Sequence, residues 1–322
     1  GITSDLKVYY SSGGLDNLIG ATLLELDVED GKTALREIAS TSSSSSIGSS
    51  LKEYDTNDDG KISSNEAKSV KSATINCTDL QKLDEIGDCS NLQLLVLKNA
   101  NVNNLSGLER CIKLNYIYFD NCEIENYYTL TELRKRLTHL IFVNVNDDEM
   151  TKVCSKTIGI GGVDFLTLTY LAVTGNGSTS FMFDTSTLTC YLQNGNGWID
   201  SSSKTTKTVT TLSYLSNLTE NTKKNIRYLC VRNNTLTSLA GIEGFLRLFL
   251  LRAEYNAINN IEALSSMKLL ENINFYSNNL NNLQGLPGQG SSLVYLNVQN
   301  NNISSLSGIG NSTKLRYLFA SN

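Results

Sequence analysis

One period governs this chain: apolar residues return every 22 positions. Leu83, Ile86, Cys89, Leu92, Leu95, Leu97, Ala100 and Val102 are followed, each 22 residues later, by Leu105, Leu108, Cys111, Leu114, Ile117, Phe119, Cys122 and Ile124. An amphipathic helix repeats near 3.6 residues and a coiled coil near 3.5, so neither sustains that match. A repeat of this length is one supersecondary unit that cannot bury its apolar face alone and must stack on its neighbours.

The frame returns downstream. Ile226, Leu229, Val231, Asn234 and Leu236 form one rung; Leu248, Leu251, Ala253, Asn256 and Ile258 form the next. Leu270, Ile273, Phe275, Asn278 and Leu280 follow, then Leu293, Leu296, Val298, Asn301 and Ile303. This is L-x-x-L-x-L-x-x-N-x-L, the leucine-rich-repeat pattern: the x-L-x-L piece is a strand, and the Asn amide satisfies backbone groups where the chain turns away. The expected fold is an α/β solenoid, a horseshoe with a parallel sheet on its concave side. Phrases such as "LSGLERCIKLNYIYF" and "LAGIEGFLRLFLL" resemble the 22-residue class of internalin-like bacterial surface proteins, over roughly residues 70–145 and 212–322. That resemblance implies a fold and, more weakly, a binding role.

The middle departs from the frame. Leu137, Leu140, Phe142 and Val145 make a rung one residue longer; Met150 and Val153 open another that Leu168, Leu171, Val173 and Asn176 complete. The segment 154–211 is read as an irregular insertion. Within it, "STSFMFDTSTLTCYLQNGNGW" alternates like short antiparallel strands with Asn-Gly turns, a β-hairpin leaving one edge of the solenoid. It either shapes a binding surface or is a tolerated loop.

Ahead of the repeats, Asp55-Thr-Asn-Asp-Asp-Gly-Lys-Ile-Ser-Ser-Asn-Glu66 fits the twelve-residue EF-hand loop. Asp55, Asn57 and Asp59 supply oxygens at positions 1, 3 and 5, and Gly60 permits the turn at 6. The Lys61 carbonyl serves at 7, Ser63 at 9, and Glu66 at 12. The ion implied is calcium, because the donors are hard oxygens in a flexible, many-ligand loop. The phrase also looks like half of a dockerin, but its second calcium segment is missing here, so cohesin docking is a lesser alternative. A solitary loop argues for a structural ion rather than a sensor.

Subtracting 22 from Leu92, Leu95, Leu97, Ala100 and Val102 lands on Val70, Ala73, Ile75, Thr78 and Leu80. The loop's exit helix therefore runs into the first rung, and residues 49–72 read as a helical EF-hand cap on the repeat domain 70–322. Residues 1–48 read as partly helical pieces and a Ser-rich joint. The chain opens Gly1-Ile2 without Met, which points to a processed or cloned piece, and Leu315, Leu318 and Ala320 begin a rung left unfinished. Either more protein follows or that edge pairs with another chain.

Between the leucines, alternate residues face the concave side. Candidate partner contacts there are Tyr116, Tyr118, Asp120, His139, Tyr228, Arg232, Arg252, Glu254, Tyr276, Tyr295, Tyr317 and Phe319. Tyr and Arg are the residue types that dominate interface energetics, although Tyr also favours strands on its own account. Other classes are disfavoured: a net charge of −5 without a Lys/Arg run argues against nucleic acid, and no apolar stretch is long enough to span a membrane. No catalytic motif emerges, so the chain is not read as an enzyme, and an enzyme would need a domain outside it. Seven cysteines cannot all pair. Most fall in core or ladder slots as reduced thiols, with Cys89–Cys111 and Cys154–Cys190 disulfides as alternatives. The expectation is an extracellular or cell-surface protein that binds a protein ligand, or alternatively a glycan through its exposed rings.

Overall fold

The computed structural model describes residues 50–78, 80–175, 179–184, 189–194 and 207–321; the reading of residues 1–48, and of Asn176 as a ladder residue, lies outside them. Ten strands form one parallel sheet in strict chain order. They are β1 (Ser72–Asn76), β2 (Leu94–Lys98), β3 (Tyr116–Asp120), β4 (His139–Val143), β5 (Tyr170–Thr174), β6 (Tyr228–Cys230), β7 (Leu250–Arg252), β8 (Asn272–Asn274), β9 (Tyr295–Asn297) and β10 (Tyr317–Phe319). Short 3-10 turns and small helices return the chain behind the sheet. The fold is a leucine-rich-repeat solenoid.

The register is the sequence frame made physical. Ser72 pairs with Leu94, Leu94 with Tyr116, Tyr116 with His139, and His139 with Tyr170. Tyr170 then pairs with Tyr228, so the sheet runs unbroken past the irregular region. Leu95, Leu97, Ile117, Phe119, Leu140 and Phe142 all point into one continuous core. The insertion is the expected hairpin: Thr179–Asp184 pairs antiparallel with Thr189–Asn194, between β5 and β6.

Seven of the ten strands are left through a left-handed residue: Asn99, Asn121, Asn144, Asn233, Tyr255, Ser277 and Asn300 have φ of 53–59°. Asn tolerates that region best among non-glycine residues, which explains its frequency. The residue that follows is the ladder position. Asn278 donates to the carbonyls of Ala253 (2.9 Å) and Phe275 (3.1 Å), and its Oδ1 accepts from the Ile258 amide (2.9 Å). Asn234, Asn256 and Asn301 repeat the arrangement. Cys122 stands in the same place, its Sγ 3.4 Å from the carbonyls of Leu97 and Asp120. Farther round, Gly107 has φ 110° and an added Cβ would lie 2.6 Å from the Asp84 Cα, so only glycine lets adjacent rungs approach there.

At the N-terminal end, helix α1 (Ser64–Ser69) opens with a capping box between Ser63 and Glu66, ends at Val70 and passes directly into β1. Leu51, Ile62, Ala67 and Val70 belong to the main core, so loop and solenoid share one apolar interior. The cap is less helical than expected. Residues 50–54 enter as a tight turn, with the Tyr54 amide bonded to the Leu51 carbonyl (3.0 Å), and not as an incoming helix. Leu51 is drawn fully into the solenoid core, and the Ser-rich approach has poor helix propensity.

Candidate functional site

Two places concentrate functional chemistry: the loop 55–66 and the sheet face opposite the core.

In the loop, left-handed backbone at Asp58 (φ 57°) and Gly60 (φ 80°) winds the chain so that side-chain oxygens meet shared amides. The Asp55 carboxylate accepts from the Asp59 and Gly60 amides at 3.1 and 2.8 Å. Asn57 Oδ1 also accepts from the Asp59 amide (3.2 Å), and its Nδ2 donates to Asp59 Oδ2 at 3.0 Å. Asp59 Oδ1 takes the Lys61 amide (2.9 Å). Glu66 closes the ring: Oε1 accepts from the Thr56 amide and hydroxyl (2.7 and 2.9 Å), Oε2 from the Ser63 amide (2.8 Å). The Ser63 amide is the main cause that holds the Glu66 carboxyl down at about 2, so it stays ionised at any ordinary pH. Every donor is a hard oxygen and the loop is already turned around them, which suits a hard divalent cation in kind. Among the described residues no three acidic, His or Cys side chains converge at metal-ligand spacing. Glu66, held by Thr56 and Ser63, is the one that would have to reorient.

The sheet face corrects an expectation. Tyr116, Tyr118, Asp120, His139, Tyr228, Arg232, Arg252, Glu254 and Tyr295 sit where the alternation places them, but they are buried and not exposed. Tyr276 and Phe319 are half-buried, and Tyr317 alone of the expected contacts is exposed, at 37%. The physical reason is stacking along the column, with rungs close enough for rings to cover one another. Tyr116 stacks on His139 (centroids 5.1 Å), His139 on Tyr170 (5.2 Å) and Tyr170 on Tyr228 (6.1 Å). With Leu94, Val96, Ile141, Val143 and Phe249, the three tyrosines belong to a second apolar cluster. Tyr170 was missed by the sequence columns, although the Leu168, Leu171, Val173 rung locates it.

Farther along, Arg252 grips Glu254 with Nε–Oε1 of 2.7 Å and a terminal nitrogen 2.8 Å from Oε2. Arg232 Nε lies 2.5 Å from Oε2 as an ion-pair contact, outside hydrogen-bond alignment, and all three side chains are fully buried. On the sheet face the accessible rings lie toward the C-terminal rungs: Tyr255 against Tyr276 (5.5 Å), Phe319 against the buried Tyr295 (5.4 Å), and Tyr317 on β10.

Other reactive groups are withdrawn. Cys77, Cys89, Cys111, Cys122, Cys154 and Cys230 are free and buried. The Cys89–Cys111 disulfide is therefore not formed, nor does Cys154 pair, and Cys190 lies where side chains are not described. Burial pushes the thiols up, Cys77, Cys111, Cys154 and Cys230 to about 12. His139 is no proton shuttle. Thr138 Oγ1 donates to the Asn115 carbonyl (2.9 Å), so Nδ1 donates to Thr138 (2.9 Å), while Nε2 has no partner among the described residues. Burial lowers its pKa to about 3, below the roughly 6.5 of an unfolded chain. A depressed histidine stabilises the fold fully above pH ~6.5 and progressively less as pH falls toward 3. Between pH 7 and 4.5 the wild type is expected to lose about 2 kcal/mol more unfolding free energy than His139→Phe, which keeps the stack without titrating. Parallel pH curves for the two would show that the imidazole is not held neutral.

No protein-family model matches this chain, and no curated protein matches it. Solved structures do. Internalin C2 of Listeria monocytogenes is 17% identical over 81% of this chain and 84% of its own, with a TM-score of 0.43. Listeria monocytogenes InlP is 12% identical over 74% of this chain and 58% of its own (TM-score 0.46). The TLR13–ssRNA13 complex gives 17% identity over 81% of this chain and 34% of that one (TM-score 0.49). No helix among the described residues is long and apolar enough to cross a membrane.

Proposed function

We propose that the chain is a non-enzymatic scaffold, extracellular or displayed on a cell surface, that binds a protein ligand with the C-terminal part of its concave face. We further propose that a calcium ion in the loop 55–66 holds its N-terminal end. The observation that carries the binding role is the change along the face. From β2 to β7 the outward side chains are consumed by their own stack and ion cluster, whereas Tyr255 and Tyr276, each with a further rung beyond it, keep ring area for a partner. Rigid amphipathic rings of this kind add contact area at small entropic cost. The buried histidine and high thiols support binding over catalysis.

Asp55, Asn57, Asp59, the Lys61 carbonyl, Ser63 and Glu66 would hold the ion. With Glu66 reoriented, it would neutralise the Asp55, Asp59 and Glu66 carboxylates and clamp α1 to the loop that shares the solenoid core. Millimolar calcium outside cells suits a single loop of this kind.

A photo-crosslinker at Tyr255 or Tyr276 should capture a partner that the same group at Thr151, on the opposite side, does not. Equal capture at both positions would remove the face assignment. A glycan array separates the alternative reading, since oligosaccharides also stack on exposed rings.

A further inference from the structure

A different surface carries chemistry that the concave face does not explain. Just before each strand from β2 to β10 the chain makes a turn with two tip residues, which are exposed or half-buried except for the buried Ser291. Five of these turns are closed by an i→i+3 backbone bond, such as Leu114 to Cys111 (3.0 Å), Leu248 to Phe245 (3.0 Å) and Leu270 to Met267 (3.2 Å). Strand register aligns these tips into one row along the flank of the solenoid: positions 90–91, 112–113, 135–136, 166–167, 224–225, 246–247, 268–269, 291–292 and 313–314. These eighteen positions hold seven Lys or Arg, four Ile or Leu and no Asp or Glu. In a chain of net charge −5, with more acids than bases, that is a strong local reversal.

The apolar tips are solvent-facing: Ile112 is 64% exposed, Leu166 53%, Leu246 42% and Leu269 43%. Cations stand beside or between them, namely Lys113, Lys135, Lys224, Arg247 and Lys268, and among the described residues none of these is in an ion pair. From β3 to β8 the row spans about 24 Å at the usual strand spacing.

We propose that this row docks the scaffold on the surface of an anionic lipid bilayer. The Lys and Arg meet the headgroup charge, and the four aliphatic tips enter the boundary of the acyl region. A basic, aliphatic-studded surface is the pattern of interfacial membrane binding, each cation near the surface adding attraction. The aliphatic tips decide against a soluble polyanion: a sulfated glycan or a phosphate backbone gains from the cations but has nothing to bury Ile112 or Leu246. With no spanning helix among the described residues, the attachment is peripheral.

The test is co-sedimentation of the full chain with phosphatidylcholine vesicles, with and without phosphatidylglycerol. The wild type should partition to the anionic vesicles alone. The triple variant Lys113→Glu, Lys135→Glu, Arg247→Glu should lose at least about tenfold in partitioning. The charge-preserving variant Ile112→Ser, Leu246→Ser, Leu269→Ser should also lose about tenfold. All these positions are exposed turns, and an unchanged thermal midpoint confirms that each variant is folded. Absence of wild-type binding overturns the proposal. So does binding that survives the serine variant and is displaced by soluble heparin, which would identify a polyanion site.

Discussion

Glu254→Ala should lower the unfolding free energy by about 3–5 kcal/mol, the cost of leaving buried charge without its counter-ion. Glu254 is fully buried between two fully buried guanidiniums, with three nitrogen–oxygen contacts of 2.5–2.8 Å. Removing it takes the shared anion from both arginines in a place water does not reach. The cost comes from the stranded cations more than from the value of the bonds. Replacing Arg232, Arg252 and Glu254 together with apolar residues of similar size should therefore be milder than the single change. Urea denaturation read by circular dichroism measures both, with the m-value checked for lost cooperativity. A single variant as stable as wild type would mean that the cluster is hydrated.

Asn278→Ala should cost about 3 kcal/mol, more than an exposed substitution such as Asn279→Ala, which should be near neutral. Its amide links the Ala253 and Phe275 carbonyls of neighbouring rungs while its carbonyl holds the Ile258 amide, so one substitution opens several buried backbone groups at once. Asn278→Cys should fall between the two, because Cys122 fills the equivalent place with two longer sulfur contacts. Thermal midpoints of the three variants give the order. A cysteine variant no better than alanine would show that the Cys122 contacts are incidental.

Much of the fold was legible because the repeat is a statement about neighbours: a residue and its partner 22 positions on are Cα partners across β1, β2 and β3. The ladder asparagines and the passage from loop to first rung followed from the same frame, and the hairpin from strand alternation where that frame is lost. Exposure was not legible. Alternation assigns Tyr116, His139 and Tyr228 to the face away from the core, but whether they meet solvent depends on what stands in the next rung. The irregular rung hid Tyr170, the ring that makes the column continuous. The missing entry helix before Asp55 has a similar origin, since the EF-hand motif describes the ligand loop and not the pull of the solenoid core on Leu51. The row of turn tips was visible in principle, though only the strand register shows that Ile112, Leu246 and Lys268 share a flank.

The claim that a calcium ion holds the end of this scaffold is tested most directly by hydrogen exchange and thermal melting of one calcium-loaded sample before and after chelation. Chelation should lower the midpoint, and amides of β1 and β2 should exchange faster while those of β8 and β9 keep their protection. A midpoint and a β1 exchange rate unchanged by the chelator would contradict the account.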